Sequence, residues 1–507
     1  MAQRLKVTKV YSSFTDGMQA VPAEIEVSLS PGIPTYTVIG QCDSSIKESR
    51  GRISAALVAA GFQMPKGHIT VNISPAYLKK SGTSFDLPIA IGILMVSGQI
   101  FNQTGGGIYA EGELSLKGEV KGTPGAAFRL RCADDSNLGI RLIPTGEIEA
   151  AAYCGIEGKA IDNISCLNKV FGFDGYMAET FQKYPCFESP RDFIDVSELK
   201  GQDKTRRALL LSAAGFHNIM LLGSPGCGKT MAGKILAGLL PKLSDREASD
   251  VFALNNLLST EEYSRVYRPL VYINQTTSPS ALFGNSQTLM PGALTMANHG
   301  ILYADEITEF SPKTIDSLRQ PLEERIVRHT KNGKTYVFPA NFIFACTGNP
   351  CKCGYAFEGR GKCKCSQALK ARYLSKLSGP FTERIDLFSE MHGIDASAKK
   401  EMRGESDERL SPVYREMVSE AWARQNERYF GTYFNATFED PEIYDYLRVS
   451  KDVFNYASDL SEKGFFSARG FSRILRVART VADLEGRADV EISDVNEAAM
   501  FRKRFEV

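Results

Sequence analysis

Phosphate chemistry is within reach of one short run of residues. Gly223-Ser224-Pro225-Gly226-Cys227-Gly228-Lys229-Thr230 follows the apolar segment "NIMLL" and precedes the helical "MAGKILAGLL", so the spacing G-x-x-x-x-G-K-[ST] stands between a strand and a helix, the context it requires. Its glycines let backbone N–H groups wrap a β-phosphate, and the helix N-terminus adds partial positive charge. Lys229 can then reach β and γ oxygens and Thr230 can ligate Mg²⁺, with the nucleotide-binding run extending to Met231. Downstream, "GILYADEI" reads as a buried strand ending in Asp305-Glu306. Asp305 can hold Mg²⁺ through water, and Glu306 can orient and deprotonate an attacking water. Two acids after a strand can also simply cap the next helix. A further apolar strand in "ANFIFACTGNP" ends at Asn349, whose amide suits a γ-phosphate or the lytic water.

Metal chemistry is the second possibility. Cys351-x-Cys353 and Cys363-x-Cys365 form two pairs joined by a loop containing Gly354, Gly359 and Gly361. Four thiolates suit tetrahedral Zn²⁺, and glycines permit the tight wrap, although C-x-C is less diagnostic than C-x-x-C. The plainer alternative is a set of partly buried thiols. Lys352, Arg360, Lys362, Lys364 and Lys370 surround them, a basic loop that suits phosphate backbones, with Lys362 a candidate DNA contact. A second basic element, "IVRHTKNGKTYVF", predicts a β-hairpin turning at Asn332-Gly333, with Lys331 and Lys334 beside its tip.

These residues need elements to place them, and composition bounds those elements. At 507 residues the chain has room for about three domains. Its 43% hydrophobic and 23% charged residues exclude disordered, collagenous and coiled-coil classes for the whole. Lys+Arg 60 against Asp+Glu 59 leaves a net charge of +1, so any nucleic-acid contact must come from local patches. Met1 to Gly17 lacks an apolar run, and Leu87 to Val96 falls short of the roughly 18 residues a membrane span needs, so a cytoplasmic location without membrane contact is expected. Eleven cysteines in such a chain read as metal ligands or core thiols.

The expected fold class is multidomain α/β. Residues 1–175 alternate short β-rich runs with two helices, "SIKESRGRISAALVAAG" and "FDLPIAIGILMVSG", as an α+β domain. A linker follows at 176–197. Residues 198–395 form a P-loop α/β core carrying the hairpin and the Cys-rich loop, and 396–507 form a helical lid. The order of phosphate loop, Asp-Glu strand and Asn strand marks the core as an AAA+ type ATPase using ATP and Mg²⁺.

"RQPLEE" (Arg319 to Glu324), "GNPCKCG", "LSGPFTERIDL" and "SARGFSRILRVARTVADLEG" resemble the magnesium-chelatase-like AAA+ ATPases of the ComM/YifB competence-helicase type. "SPGIPTYTVIG", "IKESRGRISAAL" and "SGTSFDLPIAIGIL" extend the resemblance to the first domain. It implies a homo-hexameric ATP-driven motor on branched or single-stranded DNA, promoting branch migration in homologous recombination during natural transformation, with recombination proteins as partners. By the same resemblance Arg384 is an arginine finger that enters a neighbouring subunit's ATP site, and Arg469 is a sensor arginine for the γ-phosphate, with Arg473 and Arg476 as alternatives. The hairpin would face the ring pore with Lys331 and Lys334. One departure is "RPLVYINQT", where Asn274 and Gln275 stand in place of two usual histidines.

The first domain resembles the ribosomal-S5-like fold shared with the proteolytic domain of Lon, which puts Ser84 at the nucleophile position. A serine needs a base, and the matching residue here is Ala127, flanked by Lys121 and Arg129. An ATP-dependent protease is therefore the weakest of three readings and the domain is expected to be a non-catalytic scaffold. A chelatase-like protein-remodelling ATPase is the runner-up, and a DNA motor is favoured.

Overall fold

The computed structural model describes residues 6–103, 105–134, 137–171, 179–180, 194–258, 266–358, 362–393, 409–431, 433–438, 443–462 and 468–502. Most of the expected linker 176–197, residues 394–408 and Arg360 lie outside them. The chain divides into two units, residues 1–186 with 244–266, and residues 187–243 with 267–507.

Unit 1 is built on strands β1 (Lys6–Asp16), β2 (Gln19–Ser30), β3 (Thr35–Ile39), β4 (His68–Ser74), β5 (Gly107–Ala110), the small hairpin β6 (Glu113–Leu114) and β7 (Val120–Lys121), then β8 (Leu138–Pro144), β9 (Glu157–Ile161) and β10 (Glu179–Thr180). Eight of them make one mixed sheet in the order β10-β9-β8-β5-β1-β2-β4-β3. The long β1–β2 pair is antiparallel, and β5, β8 and β9 add in parallel. Helix Asp86–Val96 buries ten of its eleven residues because β1 and β2 cover one side and helix Ser49–Ala59 another. Its one acid, Asp86, takes a bidentate contact from Arg52 at 2.7 and 3.0 Å.

Helix Asp245–Leu258, which the sequence places in the ATPase core of residues 198–395, groups instead with unit 1. Val251, Phe252 and Leu257 form its apolar face. Tyr153 stacks on Phe252 with ring centroids 4.4 Å apart, and the Asn256 side chain accepts the Ala127 amide at 3.0 Å. An amphipathic pattern declares that a face will be buried without declaring which core buries it. The Ala127 amide is thus taken by Asn256, and Ser84 is buried.

Unit 2 carries strands β11 (Ile219–Gly223), β12 (Leu270–Ile273), β13 (Gly284–Asn285), β14 (Met290–Pro291), β15 (Ile301–Ala304), β16 (Ile326–Lys331), β17 (Lys334–Pro339), β18 (Ile343–Gly348) and β19 (Leu387–Met391). Five form an all-parallel sheet ordered β12-β15-β18-β11-β19. β11, β15 and β18 are buried along their whole length, so they read as continuous apolar runs and not as alternating ones. The C-terminal helices are Ser411–Arg428, Ile443–Tyr446, Lys451–Glu462, Ala468–Leu484 and Ile492–Met500, the last starting with a capping box of Glu491 and Asp494.

These helices are fastened to the sheet by buried polar contacts. Trp422 Nε1 donates to the Ala213 carbonyl at 3.0 Å, and His217 Nε2 lies 2.7 Å from Thr480 Oγ1. Asp386, 2% exposed, accepts from the Asn218 amide at 2.9 Å and from Arg473 Nη1 at 2.5 Å, with His217 Nδ1 3.7 Å away. Burial alone would raise its carboxyl, but the Arg473 charge and His217 hold it well below the ordinary carboxylate range.

Removing one partner of a buried pair strands the other. Arg473→Met should lower unfolding free energy by about 3–5 kcal/mol, read by chemical denaturation, whereas Asp386→Asn/Arg473→Met should recover part of the loss. Because the Asp386 pKa is depressed on folding, its contribution is complete above its unfolded value near pH ~3.9 and is lost as pH falls below it. Acid titration of Asp386→Asn should accordingly show a shallower loss of stability below pH ~4 than the wild type; an unchanged profile would count against the network.

Candidate functional site

The phosphate loop turns out of β11 at the carboxyl edge of the parallel sheet, where such sheets collect ligands. Gly226 and Gly228 have φ of +77° and +96°, values at which a side chain would be strained, and Gly228 leads directly into helix Lys229–Leu239. Lys229 Nζ donates to the Gly223 carbonyl at 2.8 Å, the Ser224 carbonyl at 3.0 Å and Asn349 Oδ1 at 3.2 Å. Two of the expected groups, Lys229 and the Asn349 amide, thus meet at the ends of adjacent strands. Cys227 is buried, Met231 half-buried, and Pro225 and Thr230 are exposed at the helix start.

Asp305 and Glu306 leave β15 on the same edge. Asp305 Oδ1 accepts from Thr347 Oγ1 at 2.7 Å, and that oxygen accepts the Glu306 amide at 3.2 Å. Glu306 has φ +52°, a left-handed conformation uncommon for a residue with a side chain, and its side chain is exposed. Tyr303 donates its hydroxyl to the Lys229 carbonyl at 2.8 Å, tying the Asp-Glu strand to the phosphate helix. Burial pushes that phenol far above its ordinary pKa, so it stays a neutral donor. Loop, lysine, acid pair and amide therefore converge on one edge, a donor and acceptor set that fits a nucleotide's phosphates with Mg²⁺.

Thr347 and Tyr303 were not evident in the sequence. Each is a single polar group inside an apolar strand, and only the register, Tyr303 opposite Ala345 and Ala304 opposite Cys346, places them.

The arginines stand at the other edge. Arg384 precedes β19, and Leu387 pairs with Ile219, the first residue of β11, whereas Gly223 at its far end pairs with Met391. Four residue steps of about 3.3 Å separate the edges by roughly 13 Å. Arg384 is 6% exposed, with Nε donating to the Arg319 carbonyl at 3.0 Å, Nη1 to the Pro380 carbonyl at 2.5 Å, and Nη2 to Glu323. Arg469 is 61% exposed and lies 3.8 Å from Glu383. Arg469, Arg473 and Arg476 line a cavity of about 140 Å³ with Arg325, Leu322 and Glu323. Arginines expected at a nucleotide are thereby held together, and away from this chain's own phosphate loop.

Cys351, Cys353, Cys363 and Cys365 come together with all four sulfur atoms within 4.8 Å of one another. The Tyr355 amide lowers the Cys353 thiol to about 6, and burial pushes Cys351 up to about 12. β16 and β17 form the hairpin, paired from Ile326–Pro339 to Lys331–Lys334, with Asn332 and Gly333 both at positive φ as a type I′ turn demands. Lys334 Nζ lies 4.7 Å over the Tyr336 ring, and Lys331 is half-buried. Lys362 pairs with Glu358 at 3.0 Å.

Comparison with known proteins places this site in a family. The model of "Magnesium chelatase, subunit ChlI" matches residues 195–399, that of "Subunit ChlI of Mg-chelatase" residues 25–146, and that of its C-terminal part residues 408–502. The chain is 33% identical to YifB of Escherichia coli over 98% of its own length and 97% of the relative's. It is 33% identical to the competence protein ComM of Haemophilus influenzae over 97% of each. The magnesium-chelatase 38 kDa subunit of Rhodobacter capsulatus is 29% identical over 32% of this chain and 51% of that protein.

Thr347→Val keeps shape but deletes the hydroxyl that holds Asp305 and the Glu306 amide. Mg²⁺-dependent ATP turnover should fall about 10–100-fold while the fold survives, the lost hydrogen bonds costing about 1–3 kcal/mol of stability; steady-state kinetics at wild-type rates would remove Thr347 from the site.

Proposed function

The chain belongs to the magnesium-chelatase-like family of YifB and ComM, and on that premise we propose that it is an ATP-hydrolysing motor acting on DNA as a ring of identical subunits. The observation that carries the reading is the split of its chemistry between two edges of one sheet: Lys229, Asn349, Asp305 and Glu306 at the carboxyl edge, Arg384 and Arg469 at the amino edge. A nucleotide held by one subunit would take its arginines from the next, which makes assembly a condition of turnover.

In that reading the loop amides bind the phosphates and Lys229 balances their charge. Asn349 orients the γ-phosphate side, and Glu306, exposed on its strained turn, takes the proton of the attacking water. Mg²⁺ when bound would neutralise phosphate charge, with Thr230 and Asp305 to hold it. Arg469, on an exposed helix start, supplies positive charge where the γ-phosphoryl leaves, and Arg384 would join it on exchanging Glu323 and the Arg319 and Pro380 carbonyls for the neighbour's phosphate. Lys331 and Lys334, at the hairpin tip, would track a DNA backbone without reading sequence. Branch migration during recombination of incoming DNA is the specific task, supported by the competence role in the name of the Haemophilus relative. Among the relatives, ComM supports this over metal insertion: it aligns with 97% of the chain at 33% identity, and the 38 kDa chelatase subunit with 32% at 29%.

ATP turnover by purified protein on forked and on linear DNA is the deciding measurement: forked DNA should stimulate more, and equal rates with and without any DNA would overturn the motor reading. Lys229→Ala should bind no nucleotide, whereas Glu306→Gln should bind it and hydrolyse about 10²–10⁴-fold more slowly. Mixing Arg384→Ala with Lys229→Ala subunits should restore some hydrolysis at interfaces where an intact finger meets an intact loop; no recovery despite subunit exchange would refute action between subunits. Lys331→Ala/Lys334→Ala should weaken DNA binding for all sequences and lower the salt slope by about 1 per lysine, with basal hydrolysis retained.

A further inference from the structure

The four-cysteine knuckle lies directly over the phosphate loop. It begins at the carboxyl end of β18, where Asn349 is followed by Pro350 and the fully buried Cys351. Gly354, at φ +83°, passes so close to the loop that a Cβ there would stand 2.7 Å from Pro225 Cδ and 3.9 Å from Asn349 Cγ. At Glu358 the segment docks on the strand beyond: Oε1 accepts the Gly393 amide at 2.9 Å, just past the end of β19, and the Phe357 ring lies 6.1 Å from that of His392. Because β18 and β19 flank β11 in the sheet, a chain running from one to the other crosses the loop that β11 feeds.

A sulfur cluster adds to the fastening that Glu358 and Phe357 give this strap. Within residues 351–358 the backbone makes two short turns, Gly354 N to Cys351 O at 2.9 Å and Glu358 N to Tyr355 O at 3.1 Å. The sulfur atoms of Cys351, Cys353 and Cys363 are 3.4, 3.6 and 3.8 Å apart. That is longer than the about 2.05 Å of a disulfide and close to the about 3.8 Å edge of a tetrahedron with 2.3 Å zinc–sulfur bonds. We propose that a zinc ion held by Cys351, Cys353, Cys363 and Cys365 clamps this strap onto Pro225 and Asn349, so that metal occupancy sets the affinity of the phosphate loop for nucleotide. The proposal rests on the nucleotide reading of that loop and adds a control to it. Zinc supplies no chemistry to hydrolysis here. It closes the knuckle, and the knuckle positions the loop and the amide that Lys229 contacts.

The test uses full-length protein purified in reducing, zinc-supplied buffer, with metal analysis and binding of a fluorescent ADP. About one zinc per chain is expected. Cys363→Ser/Cys365→Ser should lose the metal and bind ADP at least ~10-fold more weakly, while Gly354→Val should keep the metal and still lose affinity, its side chain lifting the strap. Linkage requires the reverse as well: in wild type, saturating ADP should raise zinc affinity against a competing chelator by the same factor, a measurement that stands if the serine variant misfolds. A wild-type protein without zinc, or stripped protein binding ADP as tightly as loaded protein, overturns the clamp. ADP binding that is lost in Lys229→Ala yet indifferent to zinc defeats the clamp alone; ADP binding in neither wild type nor variant defeats the nucleotide reading beneath it.

Discussion

Everything in the second unit hangs on five residues of extended chain. Ile219–Gly223 pairs in parallel on both sides, to β18 and to β19, and parallel pairing fixes which ends lie together. Phosphate loop, acid pair and amide must therefore share one edge, and whatever precedes β19 must share the other. Asn218 secures the arrangement at its start: its amide meets Asp386, its side-chain nitrogen donates to the Arg384 carbonyl at 3.0 Å, and its side-chain oxygen accepts the Phe344 amide at 2.9 Å. One buried side chain thus holds three strands in register, at a position where an unsatisfied amide would cost roughly 1–3 kcal/mol.

The same edge carries the lid. Asp386 joins the strand end to Arg473 of helix Ala468–Leu484, which also carries Arg469. Lid orientation and the direction of the arginines are for that reason one mechanical property. Arg384 is positioned from the opposite side, by Glu323 and the Arg319 carbonyl, both from the segment "RQPLEE". Three arginines separated by up to 89 positions become neighbours through these contacts.

What could be read from the chain follows from how local its cause is. The phosphate loop is legible because glycines, lysine and threonine act within eight residues and need only a strand before and a helix after. The hairpin is legible because Asn332-Gly333 can adopt positive φ and little else at a two-residue turn can. The four cysteines announced themselves by type, and geometry was needed to bring them within 4.8 Å. Thr347 was invisible, since a lone threonine in an otherwise apolar strand is ordinary until its neighbour across the sheet is known. So was the allegiance of helix Asp245–Leu258: its apolar face fits a core of the first unit, although its place in the chain falls inside the second.

That displaced helix has a consequence for how the protein comes into being. Residues 1–186 cannot complete their own core, because Phe252 and Asn256, which stack on Tyr153 and cap Ala127, are not yet made. During synthesis at about 5–20 residues per second the ribosome must add the further stretch to Leu258 before the first unit can close, a wait of several seconds in which an apolar face stays uncovered. The first unit is in this sense finished from inside the second, and no single cut in the chain yields both units whole.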